Sequence, residues 1–180
     1  KRRWCDTNPQ IRKVARIESK CRISANTGSD TIPESGHFVG DGFSCQANMM
    51  WKSTVWESMA EAFVRSDGDL SSRMLAALFA AEAEQGDIRG KQSARLLVVE
   101  SDIQQYPWEG TIVDLRVDDN REPLTELDRL LKMHHEYVNI NSLDAGSISQ
   151  TKKSGNAEIA FWNSRGLVQS GRISEARAVT

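Results

Sequence analysis

The chain has 180 residues, of which 39% are hydrophobic and 27% charged, and its formal net charge is −2. That length carries one domain with an adequate core and a short appendage, and the balance is that of an ordinary soluble globular protein. No run reaches the roughly 20 apolar residues that cross a bilayer, which excludes a membrane helix.

The first 22 residues hold eight Lys or Arg against Asp6 and Glu18, so the rest of the chain carries −8. A basic arm of this kind suits nucleic acid or an acidic partner, but it lacks interleaved aromatics beyond Trp4 and any recognition-helix pattern, which disfavours nucleic-acid binding. The opening KRRW is followed by no apolar segment of the kind a secretory signal needs. Cys5, Cys21 and Cys45 form no Cys-x-x-Cys pair, so no zinc knuckle or dithiol site is expected, and their sparse, odd number points to a reducing cytoplasm.

Residues 1–10, broken by Pro9, read as an irregular lead-in. Alternation over Arg12–Glu18 and Cys21–Thr27 predicts a hairpin turning at Ser19 and Lys20, closed by a small polar loop from Asn26 to Asp30. Residues 37–48 predict two further strands about a glycine turn, the second running Phe43–Asn48. Gln46 and Asn48, two residues apart, would then share a face and can fix a substrate's polar group or build an oxyanion site; equally, they can satisfy loop backbone groups.

Thr54 with Glu57 reads as a capping box for a helix whose stripe is Val55, Trp56, Met59, Ala60, Ala62 and Phe63. Asp69 caps a second helix with Leu70, Met74, Leu75, Leu78 and Phe79 on its core face, ending at Gly86. The loop GDIRGKQS follows. Gly86 and Gly90 permit sharp turns and close approach, and Arg89, Lys91, Gln92 and Ser93 place donors at the start of a strand, as an anion or amide pocket would; a solvated connection has the same composition. Leu96 to Val99 lack alternation and predict a strand buried on both faces. Ile112–Asp118 predicts its successor, whose acidic end, Asp114, Asp118 and Asp119 with Arg116, can bind a cation or pair with Arg89 across the sheet. These carboxylates alternate faces, so a structural ion pair is expected and no metal site is assigned.

Pro123 starts a third helix with Leu124, Leu127, Leu130, Leu131, Tyr137 and Val138 on one face. His134 and His135 are adjacent, point about 100° apart and do not chelate one ion readily, so a packing role is expected. Residues 139–155 read as a linker. NAEIAFWNSRGLVQSGRISEARA, in residues 156–180, resembles a tetratricopeptide-type helix, turn and second-helix start, with Trp162, Gly166 and Ala176 at matching places and Gly171 at the turn; a single repeat cannot bury its own apolar face.

GDIRGKQSARLLVVES, then VDLRVDDNREPLTELDRLL, with GHFVGDGFSCQANMMWKSTVWESMAEAF upstream, resembles the domain of unknown function 1028 family, bacterial proteins assigned to the N-terminal-nucleophile (Ntn) hydrolase-like superfamily. The resemblance runs from about Ile11 to Tyr137 through several separated motifs in order. It implies an α+β fold, part of an α/β/β/α sandwich over residues 11–138, with a helical C-terminal extension. It also implies attack on an amide or ester by a Thr, Ser or Cys at a free N-terminus, whose α-amine serves as base. Members of the family carry further strands ahead of the matched part, and residue 1 here is Lys; the chain is therefore expected to lack its nucleophile segment and to be inactive alone. On this reading the catalytic group is unknown, and Gln46, Asn48, Arg89, Gln92, Ser93 and Asp118 are pocket candidates. No cofactor is expected, a small amide or ester is the ligand, and unpaired strand edges favour a homo-oligomer. The alternative is a non-catalytic ligand-binding or assembly domain using the repeat-like tail.

Overall fold

The structure is a computed structural model in which residues 7–18, 22–106 and 108–142 are described. The turn at Ser19 and Lys20, Cys5, Cys21 and Pro107, the linker beyond Ser142 and the repeat-like tail lie outside the described residues. The chain divides into two compact units, residues 1–128 and 129–180.

A short 3-10 turn, Pro9–Ile11, leads into the antiparallel pair β1, Lys13–Ile17, and β2, Ile23–Thr27. Their register sets Lys13 opposite Thr27, Ala15 opposite Ala25 and Ile17 opposite Ile23, so these six side chains share one face. After β2 the chain closes on its own beginning: the Gly28 N–H donates to Arg12 C=O at 2.9 Å and the Asp30 N–H to Gln10 C=O at 2.8 Å. A Cβ on Gly28 would overlap the Gln10 carbonyl, so this approach requires glycine.

β3, Gly36–Val39, and β4, Ser44–Ala47, form a second antiparallel hairpin, with Gly42 at φ +76° in its turn. β4 ends at Ala47, one residue short of expectation, so Asn48 has left the strand and shares no strand face with Gln46. Helix α1, Val55–Arg65, packs on β3 and β4; the Trp56 indole occupies the space a Cβ on Gly36 would need.

The capping box does not form. The Thr54 hydroxyl donates instead to Glu84 Oε2 at 2.7 Å, tying the start of α1 to the end of α2, and Thr54 makes no side-chain cap bond. Helix α2, Leu70–Ala83, does carry the expected cap, with Asp69 Oδ1 accepting from the Ser72 N–H at 2.8 Å. Arg73 of α2 donates to the Phe63 carbonyl at 3.1 Å and lies 4.2 Å over the Phe63 ring, satisfying an orphan group in the last turn of α1. Val55, Ala60, Leu75 and Ala77 are buried, whereas Leu70 and Phe79 of the expected core stripe are exposed.

β5, Ala94–Val99, and β6, Thr111–Val117, form a third antiparallel pair, with a bulge between Val98 and Val99. β5 is not buried on both faces. Leu96 and Val98 are 1% and 8% exposed, but Leu97 and Val99 are 43% and 55% exposed. A pleated strand alternates sides whatever its composition, and among the described residues α2 packs on one side only. On the open side Arg95 stands opposite Arg116; the guanidinium of Arg95 pairs in bidentate fashion with Asp114 at 3.1 Å for both bonds, offsetting that like-charge contact. In the connecting loop Tyr106 stacks on Trp108, centroids 4.8 Å apart.

Helix α3, Pro123–Ser142, begins at the expected proline, with Leu127 and Leu131 buried. It continues through Ser142, so the first residues assigned to a linker, 139–142, are helical. The His134 and His135 rings lie 6.0 Å apart and tilted, both partly buried.

Candidate functional site

The loop after α2 lines a cavity whose shape follows from how the helix ends. Gln85 and Gly86 both take left-handed backbone, at φ +77° and +59°. The Gly86 N–H donates to Ala81 C=O at 3.0 Å and the Gln85 N–H to Glu82 C=O at 2.9 Å. This pair of bonds is the Schellman stop, and Gln85 occupies the place glycine usually fills. The sequence pointed to Gly86 for that role; the chain reverses one residue earlier.

The reversed chain is pinned to the exit of β4. Trp51 N–H donates to Gly86 C=O at 3.0 Å, Ile88 N–H to Met49 C=O at 2.8 Å, and Met50 pairs with Asp87 as an isolated antiparallel bridge. The Met50 N–H donates in turn to Glu34 C=O at 3.1 Å. Glu34, Met49 and Gln85 are the described non-glycine residues with positive φ, and these backbone bonds join all three segments, which concentrates strain at the rim.

The cleft so formed has a volume of about 820 Å³. Trp51, Met50, Leu78, Pro123 and Leu124 supply its apolar wall, and Glu82, Asp87, Arg89, Lys91, Gln92 and Ser93 its polar one. Each charged donor is already answered. Asp87 Oδ1 accepts from the Arg89 backbone N–H at 2.8 Å and from its Nε at 2.9 Å, and Oδ2 accepts from Nη2 at 2.6 Å. The Arg89 guanidinium thereby holds the Asp87 carboxyl below the usual aspartate range, and Asp87 raises Arg89 in return. The Lys91 ammonium bridges the Glu122 and Glu82 carboxylates, which raise its pKa. Gln92 donates to Asp119 Oδ1 at 3.2 Å, while its carbonyl accepts the Asn120 N–H at 2.9 Å, clamping the entry of β5 to the exit of β6. Asp114 and Arg89 do not pair; their partners are Arg95 and Asp87.

Of the six pocket candidates, Arg89, Gln92 and Ser93 line this cleft. Gln46 lies elsewhere, on an apolar groove of about 530 Å³ shared with Cys45, Phe63, Met74 and Leu96, where its amide donates to Ser44 Oγ at 2.7 Å. Asn48 is exposed and lines neither cavity; Asp118, also exposed, sits 4.0 Å from Arg116 and lines neither. Trp51 is among the cleft residues that sequence reasoning missed, with Met50, Glu82 and Asp87. The signal for Trp51 was available in retrospect: a tryptophan in the non-periodic segment MMWKS, 58% exposed here, has no core to fill. Among the described residues, no three His, Cys, Asp or Glu side chains converge as metal ligands would, and no described helix is long and apolar enough to cross a membrane.

Comparison with known proteins gives a family but no activity. A crystal structure of a protein from Silicibacter pomeroyi, described as DUF1028, superposes with a TM-score of 0.59 at 30% identity over 71% of this chain. The chain spans 54% of that protein's length. No curated protein matches. Residues 3–127 match the model of a family of unknown function, DUF1028, and the chain belongs to that family.

Proposed function

We propose that the cleft at Trp51 and Gly86–Ser93 is the ligand pocket of an Ntn-type amide or ester hydrolase whose nucleophile segment lies outside this chain. The observation that carries this reading is charge cancellation within the cleft. Arg89 and Lys91 are neutralised by Asp87, Glu82 and Glu122, so the pocket presents hydrogen-bonding groups and an exposed indole without a free charge. A neutral, polar carbonyl compound fits those terms, and a free anion does not. On this reading residues 11–138 belong to an α/β/β/α sandwich, the open face of β5 and β6 meets a second sheet, and 156–180 form a repeat-like tail. Arg89, Gln92 and Ser93 serve as pocket residues, while Gln46, Asn48 and Asp118 face other surroundings.

The test uses the longest natural form of the protein and p-nitrophenyl acetate with matched anilides. Hydrolysis whose KM rises about tenfold in Trp51→Ala, with kcat little changed, is the expected result for lost uniform binding. Failure to turn over any ester or amide sinks the hydrolase reading. Saturable binding of the same compounds without turnover would then favour a non-catalytic ligand-binding domain, consistent with the neutralised charges of the cleft.

A further inference from the structure

A second cluster of polar side chains lies where β1, β2 and β3 meet. Lys13 and Thr27 stand opposite each other in the β1–β2 register and so on one face. Thr27 Oγ1 is 2.8 Å from His37 Nδ1, which brings β3 into the group. The Lys13 ammonium reaches the same junction, donating to the carbonyls of Gly36 and Ala47. All three side chains are partly buried.

What separates this cluster from ordinary packing is that Lys13 has no counter-ion among the described residues. Elsewhere on the molecule Arg89, Lys91 and Arg95 each have a carboxylate partner. Lys13 has two carbonyls, and among the described residues no carboxylate within ion-pair distance; burial pulls its pKa down with no opposing charge to restore it. A partly desolvated ammonium with two of its three N–H groups engaged keeps one donor and its full charge. The threonine–histidine pair adds a second donor in either tautomer. When Thr27 donates to Nδ1 the ring's Nε2–H is left over; when Nδ1 donates to Thr27, the hydroxyl hydrogen is.

We propose that Lys13, Thr27 and His37 form a binding site for a small oxyanion, a carboxylate or a phosphate, that supplies the counter-charge Lys13 does not find among the described residues. Two donors and one positive charge match the two oxygens and single charge of a carboxylate group. A phosphate presents the same oxygens. The site is independent of the Trp51 cleft and of the hydrolase reading, since none of its three residues lines that cavity.

The experiment is a titration of the whole chain with sodium acetate and, separately, sodium phosphate at constant ionic strength, following the His37 ring signals by NMR. Wild type is expected to shift saturably with at least one probe. Lys13→Gln keeps amide donors for the two carbonyls but removes the charge, and should weaken binding about tenfold, the scale of a charge-assisted hydrogen bond. Thr27→Val should weaken it by a smaller factor, and the Trp51 indole signal should stay unmoved throughout. Saturation by acetate alone makes the ligand class a carboxylate, and by phosphate alone a phosphate; both outcomes support the site. Absence of a saturable shift in wild type with either probe overturns the proposal, as does equal affinity in Lys13→Gln. Should Lys13→Gln fail to fold, wild type and Thr27→Val decide, and equal affinity in that pair overturns it.

Discussion

The cleft loop and the β1–β2–β3 junction treat charge in opposite ways. In the loop, Asp87 neutralises Arg89, and Glu82 and Glu122 hold Lys91, all on mobile-length side chains near water. At the junction one ammonium meets two backbone carbonyls and a threonine–histidine pair, with no carboxylate among the described residues. Counting charged residues in a pocket therefore says little about what it attracts. The cleft carries more charge and offers less of it, whereas a single lysine at the junction keeps its charge available.

The largest expected effect breaks the junction and spares the cleft. Gly36→Ala would drive a methyl into the Trp56 indole and displace the carbonyl that Lys13 holds; urea denaturation should register a loss of about 1–3 kcal/mol, the range for overpacking. The reverse intervention acts on the cleft rim. Gln85→Gly relieves a left-handed backbone at the Schellman stop, and should raise stability by about 0.5–1 kcal/mol, strain relief exceeding the added freedom of the unfolded chain. No gain would mean that Gln85 makes compensating contacts.

The two regions respond to pH in different windows. Asp87 has its carboxyl held low by Arg89. Its contribution is complete above the ordinary aspartate value, near 4, and disappears as pH falls through the lower folded value. Protection of the amides in residues 86–93, measured against their intrinsic exchange rates, should therefore fall in acid before the helices melt. Lys13 has the opposite balance: burial lowers its pKa, the unfolded chain holds the proton more tightly, and its share of stability rises from the folded value toward about 10.4. Lys13→Met should flatten that alkaline rise in a stability profile. The smallest effect concerns Cys45, whose thiol burial pushes up in pKa; its reaction with a disulfide reagent at neutral pH should be slower in the folded protein than in urea.

What the sequence disclosed follows the range over which each signal acts. The Asp69 cap, the Pro123 helix start and the β1–β2 pairing depend on residues within a few positions, and each appears as expected; the alternation itself does not show in β1, where Val14 and Ile17 are both exposed. Composition misled at Leu96–Val99, where an unbroken apolar run hides a one-sided strand, and at Thr54, whose hydroxyl is taken by Glu84, thirty positions away. The cleft was half legible: the donors of GDIRGKQS were plain, but the Trp51 wall comes from a distant segment that backbone bonds bring alongside them. Lys13 was invisible as a site residue, because its partners at Gly36 and Ala47 are carbonyls, which every sequence has everywhere.

Gly28, closed against the backbone of Gln10, has a consequence for how relatives of this chain should be read. Its lack of a side chain is demanded by the path of the main chain alone, so evolution has no substitute to try there, whatever the protein binds. On the two readings proposed above, Trp51 and Lys13 serve a ligand and are free to drift when the ligand changes. A ranking of positions by invariance would then place Gly28 first and the two binding residues below it, and divergence at those two, on a constant Gly28, would trace a change of ligand within the family.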